Sequence, residues 1–226
     1  MNIVNPSVEF VYPPSYETVL MTFNTAARNC YKSATDNNNN MEDAEKLARR
    51  LIAVGHGSPI EMNNITVKIV ADRSYMGQIT RQRLSSFAIE SMRYVNYSKD
   101  KFNHSVGFVI PQGMLTENGS CDKDKFDLWF DACSQSEKSY FKLIELGCKP
   151  EEARSVLPQC TATTIVMGAN IREWRHIFEL RCDSHAQLDI RMSMTTLLKM
   201  MYERYPVFFE DLYKKFVSKE NVRSEV

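Results

Sequence analysis

The sequence lacks a net charge, a long apolar run and the compositional bias of disordered chains. Its 226 residues carry 28 Lys and Arg against 28 Asp and Glu, with only 8 Gly and 8 Pro. Apolar residues make up 43%, which is enough for a folded core and excludes collagen-like and low-complexity proteins. Nucleic-acid-binding proteins usually carry a basic excess, so the balanced charge removes the simplest argument for that class.

Signals for membranes and export are also missing. No stretch reaches the roughly 20 consecutive apolar residues of a membrane-spanning helix. Residues 1–17 have no basic start followed by an apolar run, so we expect no secretory signal peptide. The six cysteines are scattered without a Cys-x-x-Cys pair, which favours reduced thiols over a disulfide framework. Together these absences predict a cytoplasmic protein.

The hydrophobic periodicity predicts an α+β fold. Strands are expected at 7–12, 65–69, 87–97 and 105–110, a polar segment at 74–84, and helices at 16–28, 44–51, 126–144, 171–180 and 185–205. No internal repeat or linker-like stretch interrupts the pattern. We therefore predict one domain over residues 1–226, with a small antiparallel sheet packed with helices.

The densest polar segment lies at residues 78–98. It places Arg81, Arg83 and Arg93 within thirteen residues, interleaved with serines and aromatic side chains. Guanidinium groups beside apolar side chains are costly to desolvate unless an anion meets them, and their planar forks suit phosphate oxygens. From spacing alone, a solvated strand and turn with surface arginines is the commoner arrangement.

Three further segments carry polar side chains of the same kind. The loop at 55–61 presents His56, Ser58 and Glu61, although such a loop is more often only a connection. Arg154 is a single charge inside an apolar run. The third segment is at 170–187 and contains several polar residues at helical spacing.

Asn170 is a good N-cap for the helix predicted after it. Arg172 and His176 are four residues apart, so they share one face of that helix. Arg181 falls at its end, where the helix dipole favours a cation and supplies a purely structural reason for the residue. Cys182 is the only cysteine next to a motif arginine, and we favour a small buried side chain over a catalytic thiol.

Motifs of other enzyme classes are missing. The sequence contains no His-Glu-x-x-His or paired Cys-x-x-Cys spacing, and its four histidines are scattered, so no metal site is predicted. It also contains no glycine-rich phosphate loop and no Gly-x-Ser-x-Gly elbow.

Five segments in order resemble the flavin-dependent thymidylate synthases. The family signature is Arg-His-Arg, seven residues and Ser, and here Arg81-Gln82-Arg83 is followed by Ser91, then Arg93-Tyr94. The other matching segments are 26–31, 55–61, 153–158 and 170–187.

The resemblance implies an enzyme that methylates C5 of dUMP to make dTMP. In this family methylenetetrahydrofolate supplies the carbon, and FAD reduced by NADPH supplies the hydride. No enzyme nucleophile attacks the uracil. The family also implies a homotetramer whose active sites are shared between subunits, with no nucleic-acid or membrane partner.

The resemblance also implies roles for individual residues. Arg181 would lie against the uracil and is the expected catalytic residue. The residues expected to bind dUMP are Gln78, Arg81, Ser91, Met92, Arg93, Arg154 and Arg181. The residues expected to bind FAD are Ser58, Arg81, Gln82, Arg83, Asn170, Arg172 and His176, with His56, Glu61 and His185 as further candidates around the flavin or the folate.

Four positions depart from the family pattern. Gln82 replaces the signature histidine, Ala88 and Ile89 replace a frequent Asn-Glu pair, and His176 replaces an asparagine of some members. A glutamine forms hydrogen bonds but is never cationic. The departures leave two alternatives: a flavin-dependent enzyme that modifies dUMP differently, for example by hydroxymethylation, and an inactive relative that binds FAD and nucleotide. A purely structural protein would bind neither.

Overall fold

The computed structural model describes residues 1–35, 39–116 and 119–218, and it has the predicted α+β architecture. The helices are α1 (Tyr16–Tyr31), α2 (Met41–Ala53), α3 (Arg73–Ile79), α4 (Lys123–Glu145), α5 (Pro150–Ala153), α6 (Ile171–Arg181), α7 (Leu188–Arg204) and α8 (Pro206–Phe216). The strands are β1 (Asn2–Ile3), β2 (Ser7–Phe10), β3 (Asn64–Asp72), β4 (Ser85–Ile89), β5 (Gly107–Phe108) and β6 (Ala162–Asn170). None of the helices described is both long and apolar enough to cross a membrane.

The main sheet has four strands in the order β2-β3-β6-β4. The two central strands are antiparallel, because the Ile171 N–H donates to the Asn63 carbonyl and the Arg73 N–H donates to the Thr161 carbonyl. Along β3 every second side chain is buried, and β6 alternates in the same way. β1 and β5 form a separate parallel pair.

The chain divides into two compact units, and the strands β3 and β6 each have some residues in one unit and some in the other. The first unit comprises Met1–Ser7, Ile69–Arg81 and Phe87–Val166, and the second comprises Val8–Lys68, Gln82–Ser86 and the chain from Met167 onward. The prediction of a single domain over residues 1–226 stays a prediction.

In the first unit, α4 covers a small core that includes Tyr97 and Tyr140, with ring centroids 5.7 Å apart. Glu137 is buried there, where its carboxylate accepts from the Val106 N–H at 2.8 Å and pairs with the amino group of Met1 at 2.8 Å. A buried carboxylate is tolerated when it is paired and hydrogen-bonded in this way.

The second unit is mainly helical, with α6 at its centre. Trp174 is fully buried, and its indole N–H donates to the Ile65 carbonyl at 3.0 Å. Asn170 caps α6, since its side-chain oxygen accepts from the Glu173 N–H at 2.8 Å. These contacts fix the start and the direction of the helix that carries Arg172, His176 and Arg181.

An ion pair joins α6 to α8. Arg175 donates from Nη1 to Oδ1 of Asp211 at 2.8 Å and from Nη2 to Oδ2 at 2.6 Å. Partial burial acts to raise the pKa of Asp211, but the hydrogen bonds and charge of Arg175 outweigh it, so this pKa lies below its ordinary value of 3.8. A depressed pKa means that the pair stabilises the fold above pH 4 and loses this contribution as the carboxylate is protonated.

We therefore expect Asp211→Asn to be less stable than wild type by about 1 kcal/mol at pH 7, the upper range for an exposed pair. The difference should shrink as the pH falls below 4, because the wild-type carboxylate is then neutral too. Urea unfolding of both proteins from pH 7 to pH 3 measures this. A difference independent of pH would contradict the role given to Asp211.

Several predicted elements are confirmed, and others are wrong in instructive ways. The strand predicted over 87–97 ends at Ile89, because the chain then turns, with the Val95 N–H donating to the Ser91 carbonyl at 2.9 Å. The strand at 105–110 shortens to Gly107–Phe108. Within the segment predicted as merely polar, α3 forms, and Asp72 caps it by accepting from the Tyr75 N–H.

Candidate functional site

The residues with expected roles lie in both compact units. The first unit contains Gln78, Arg81, Ser91, Met92, Arg93 and Arg154. The second contains Ser58, Gln82, Arg83, Asn170, Arg172, His176 and Arg181. Apart from Arg81 and Arg181, the residues expected at dUMP therefore belong to the first unit and those expected at FAD to the second.

Within the first unit, a cavity of about 240 Å³ brings Met92 and Arg154 together; we call it the Arg154 cavity. Its lining residues are Arg73, Met92, Arg154, Ser155, Leu157, Pro158 and Gln159. Arg154 is exposed, and its Nε donates to the Glu151 carbonyl at 3.2 Å. The cavity thus has two arginines among its lining residues, and arginine suits an anionic ligand.

Arg73 is a cavity residue that the sequence analysis missed. Its backbone N–H donates to the carbonyls of Gln159 and Thr161, and its Nη1 donates to the Thr163 hydroxyl at 3.4 Å. The sequence contained one usable signal, an arginine directly after a buried strand. No local pattern indicated that this residue meets Arg154, which is 81 positions away.

Arg93 lies on the surface of the same unit. Its Nε donates to the Glu151 carboxylate at 2.7 Å, its guanidinium lies 5.3 Å from the Tyr94 ring centroid, and its side chain is 60% exposed. An exposed ion pair is worth at most about 1 kcal/mol, so the contact with Glu151 restrains Arg93 only weakly. Of the other residues in this set, Gln78 and Ser91 are half-buried and Arg81 is exposed.

In the second unit, the loop at 55–61 meets the first turns of α6. Arg172 and His176 are exposed on one face of α6, as predicted, and Arg172 forms an ion pair with Glu61. A cavity of about 280 Å³, the Arg172 cavity, lies at this contact. Its lining residues are Ile52, Gly55, His56, Gly57, Ile60, Arg172, Arg175, His176 and Glu179.

Gly57 permits the close approach of Arg172. A Cβ atom at Gly57 would lie 2.8 Å from Arg172 Nε and 3.0 Å from its Cδ. Ser58, the next residue, is exposed and lines a neighbouring cavity of about 690 Å³ with Ala26, Asn29 and other residues of α1. The structure therefore brings together two segments that the sequence analysis had matched separately, 26–31 and 55–61.

The remaining histidine candidates have polar partners. The His56 ring stacks with Tyr31 at 6.4 Å between centroids, and its Nδ1 lies 2.7 Å from the Tyr31 hydroxyl. His185 is almost fully exposed, with Nδ1 2.7 Å from Oδ1 of Asp183. The backbone N–H and the ring of His185 hold the pKa of Asp183 below its ordinary value.

Gln82 and Arg181 form a direct contact that the sequence did not reveal. Gln82 is only 4% exposed, whereas Arg81 and Arg83 on either side of it are exposed. With its amide oxygen toward Arg181, Gln82 accepts from Nε at 3.2 Å and from Nη2 at 3.1 Å. Arg181 is half-buried at the last position of α6, and Cys182 beside it is buried, as predicted.

The chain matches known proteins along most of its length. Residues 16–207 match the family described as thymidylate synthase complementing protein. The flavin-dependent thymidylate synthase of Haloarcula marismortui is 31% identical over 196 residues, 80% of this chain and 79% of that enzyme. The enzyme of the same name from Pyrococcus furiosus is 30% identical over 72% of this chain, and the match spans 64% of that enzyme.

A solved structure shares the fold. A UMP/dUMP methylase, PolB from Streptomyces cacaoi, bound with 5-Br dUMP, superposes with a TM-score of 0.74 at 24% identity, covering 96% of this chain and 98% of that one. The family match, the relatives and this common architecture agree. The chain is a member of the thymidylate synthase complementing protein family.

Proposed function

We propose that this chain is a flavin-dependent thymidylate synthase, a methyltransferase that converts dUMP to dTMP. The proposal gives it FAD as cofactor, with NADPH and methylenetetrahydrofolate as co-substrates. Its relatives carry that enzyme name, and the protein of the same fold is a dUMP methylase. The observation that carries the proposal is the Arg154 cavity, where Arg73 and Arg154 line the same cavity as Met92 of the signature segment.

The Arg154 cavity has residues suited to the phosphate of dUMP and residues suited to its base or sugar. Arg154 and Arg73 would bind the phosphate, because guanidinium forks form bidentate hydrogen bonds with phosphate oxygens. Buried Met92 and half-buried Leu157 offer apolar surface to the base or sugar. Arg93 would join the phosphate after leaving Glu151.

Arg181 would activate the uracil. An arginine stays protonated throughout the physiological pH range, so its charge is available whatever the state of the base. Placed against the imide, that charge stabilises the negative charge that develops on the ring as C5 becomes nucleophilic. In this role Arg181 acts by electrostatics and never bonds covalently to the substrate.

The residues around the Arg172 cavity fit a flavin dinucleotide. Arg172, His56 and His176 place donors there, and a diphosphate needs such donors. Ser58 and Arg83 are exposed and would add further donors. The flavin held by these residues would, in its reduced form, be a hydride donor for the reaction.

Two of the described thiols, Cys133 and Cys160, are unsuited to act as a nucleophile. Cys133 and Cys160 lie with their sulfur atoms 3.5 Å apart. Burial raises the pKa of the Cys133 thiol to about 12, and burial also raises the pKa of Cys160. Because the thiolate is the attacking form, neither residue is activated at neutral pH.

Gly57→Ala offers a test of the Arg172 cavity. The new methyl group would displace the Arg172 side chain. Because that side chain is flexible, we expect little change in stability. FAD binding should weaken about 5- to 10-fold, as expected for one weakened charged hydrogen bond. Gly113→Ala is the control, since nothing lies within 4 Å of a Cβ atom there. Titration of both apoproteins with FAD gives the comparison, and equal affinities would remove Arg172 from the flavin site.

The proposal extends to assembly and location. On the strength of the family resemblance, we propose a homotetramer with active sites shared between subunits. The scattered cysteines favour a cytoplasmic location. Light scattering of the purified protein measures the subunit number. A monomer that turns over dUMP would remove the shared active site from the proposal.

Turnover of dUMP tests the proposed function. Purified protein should bind FAD and, with dUMP, methylenetetrahydrofolate and NADPH, form dTMP. A hydroxymethylated nucleotide would assign the alternative reaction. Bound flavin without product would assign the inactive relative, and a protein that binds neither flavin nor dUMP would refute the proposal.

A further inference from the structure

We propose that Gln82 is a positioning residue that holds the Arg181 guanidinium in the orientation needed for catalysis. The inference rests on the proposed function, because it gives the amide a role in the same reaction. It concerns a residue of this chain that departs from the family signature.

The burial of Gln82 supports this role. Gln82 is 4% exposed, so its amide is shielded from water and requires a protein partner. An unpaired buried polar group costs about 1–3 kcal/mol, and the Arg181 N–H groups prevent that cost. The pair is therefore expected to persist in the folded chain.

The geometry of the contact between Gln82 and Arg181 also supports this role. The amide oxygen accepts from both Nε and Nη2, which form one edge of the planar guanidinium. Two hydrogen bonds from one edge to the same oxygen restrain the direction in which the guanidinium points more than one bond would. Arg181 reaches this contact from the end of α6, a rigid element capped by Asn170.

The neutral charge of the Gln82 amide is a further reason for this role. The amide is a neutral acceptor at every pH, so it leaves the charge of Arg181 undiminished, whereas a carboxylate would partly neutralise it. The backbone directs only this residue inward, because its neighbours Arg81 and Arg83 are both exposed. The middle position of the signature thus acts through Arg181.

A double-mutant cycle separates this role from direct contact with the flavin. Gln82→Met removes the acceptor at nearly constant volume and should lower kcat about 10- to 100-fold, the scale of a misplaced catalytic group. In an Arg181→Ala background the same change should lower kcat less than about 2-fold, because coupled residues are not additive. Gln82→Glu keeps an acceptor and should recover part of the kcat lost in Gln82→Met. The exposed Gln135→Met is the matched control.

Two results would overturn the inference: equal loss of kcat in both backgrounds, or a weaker affinity for FAD as the main effect of Gln82→Met. A second measurement does not depend on turnover, so it tests the contact between Gln82 and Arg181 even if the proposed reaction is wrong. In ¹⁵N-arginine-labelled protein, the Arg181 Nε–H, identified by its absence from Arg181→Lys, should exchange at least about 10-fold faster in Gln82→Met, as expected for a lost hydrogen bond. Unchanged exchange would refute the contact, while an inactive wild type with faster exchange in the variant would refute only the proposed reaction.

Discussion

Arg181→Ala is expected to lower the turnover of dUMP at least ~100-fold, the scale of losing one preorganised charge-stabilising group. The proposed role of Arg181 is to stabilise charge that develops on the uracil, so the loss should fall on kcat. The protein should remain folded and bind flavin, because the half-buried side chain lies at the end of α6 and its loss costs only the hydrogen bonds to Gln82, about 1–3 kcal/mol. Steady-state kinetics with saturating dUMP measure the effect.

Two control variants sharpen this prediction. Arg181→Lys keeps the charge and loses the guanidinium edge that Gln82 binds, so its kcat should lie between those of wild type and Arg181→Ala. Arg50→Ala removes an exposed arginine near the end of α2 and should leave kcat unchanged. Wild-type turnover in Arg181→Ala would remove Arg181 from the catalytic role.

Arg93→Ala is expected to weaken dUMP binding by about 1.5–3 kcal/mol, the value of a hydrogen bond to a charged group. The proposed contact is with the phosphate, so binding of deoxyuridine, which has no phosphate, should be the same in wild type and variant. Calorimetric titration with both ligands distinguishes these cases.

The ion pair with Glu151 supplies a second test of Arg93. Glu151→Gln removes the competing carboxylate, so dUMP should bind at least as tightly as in wild type, with a gain of up to about 1 kcal/mol. Lys99→Ala, an exposed charge in the same unit, is the control. An Arg93→Ala variant with unchanged dUMP affinity, or with equal losses for both ligands, would exclude the phosphate contact.

Local signals in the sequence predicted α1, α2, α4, α6 and α7, but they missed α3, α5 and α8. Asn170 was predicted to cap α6, and Arg172 and His176 to share a face, because caps and four-residue spacings depend only on neighbouring positions. The family signature likewise identified Arg81 and Arg93 as candidates. These predictions needed no knowledge of distant contacts.

Contacts between distant positions could not be predicted in this way. Gln82 and Arg181 are 99 positions apart, and Arg93 and Glu151 are 58 apart. No periodicity links such pairs, since sheet pairing and helix packing bring them together. The short helix α3 was missed for a different reason, because seven residues that include a glycine give no clear period.

The most direct test of the account is the mass of the nucleotide formed from dUMP. The reaction would contain the FAD-bound protein, NADPH and methylenetetrahydrofolate deuterated on its methylene carbon. We predict dTMP whose methyl group carries both deuterium atoms. In the proposed reaction that carbon is transferred to C5 and a hydride from the reduced flavin is added to it. Unchanged dUMP, or a product that carries a hydroxymethyl group, would contradict it.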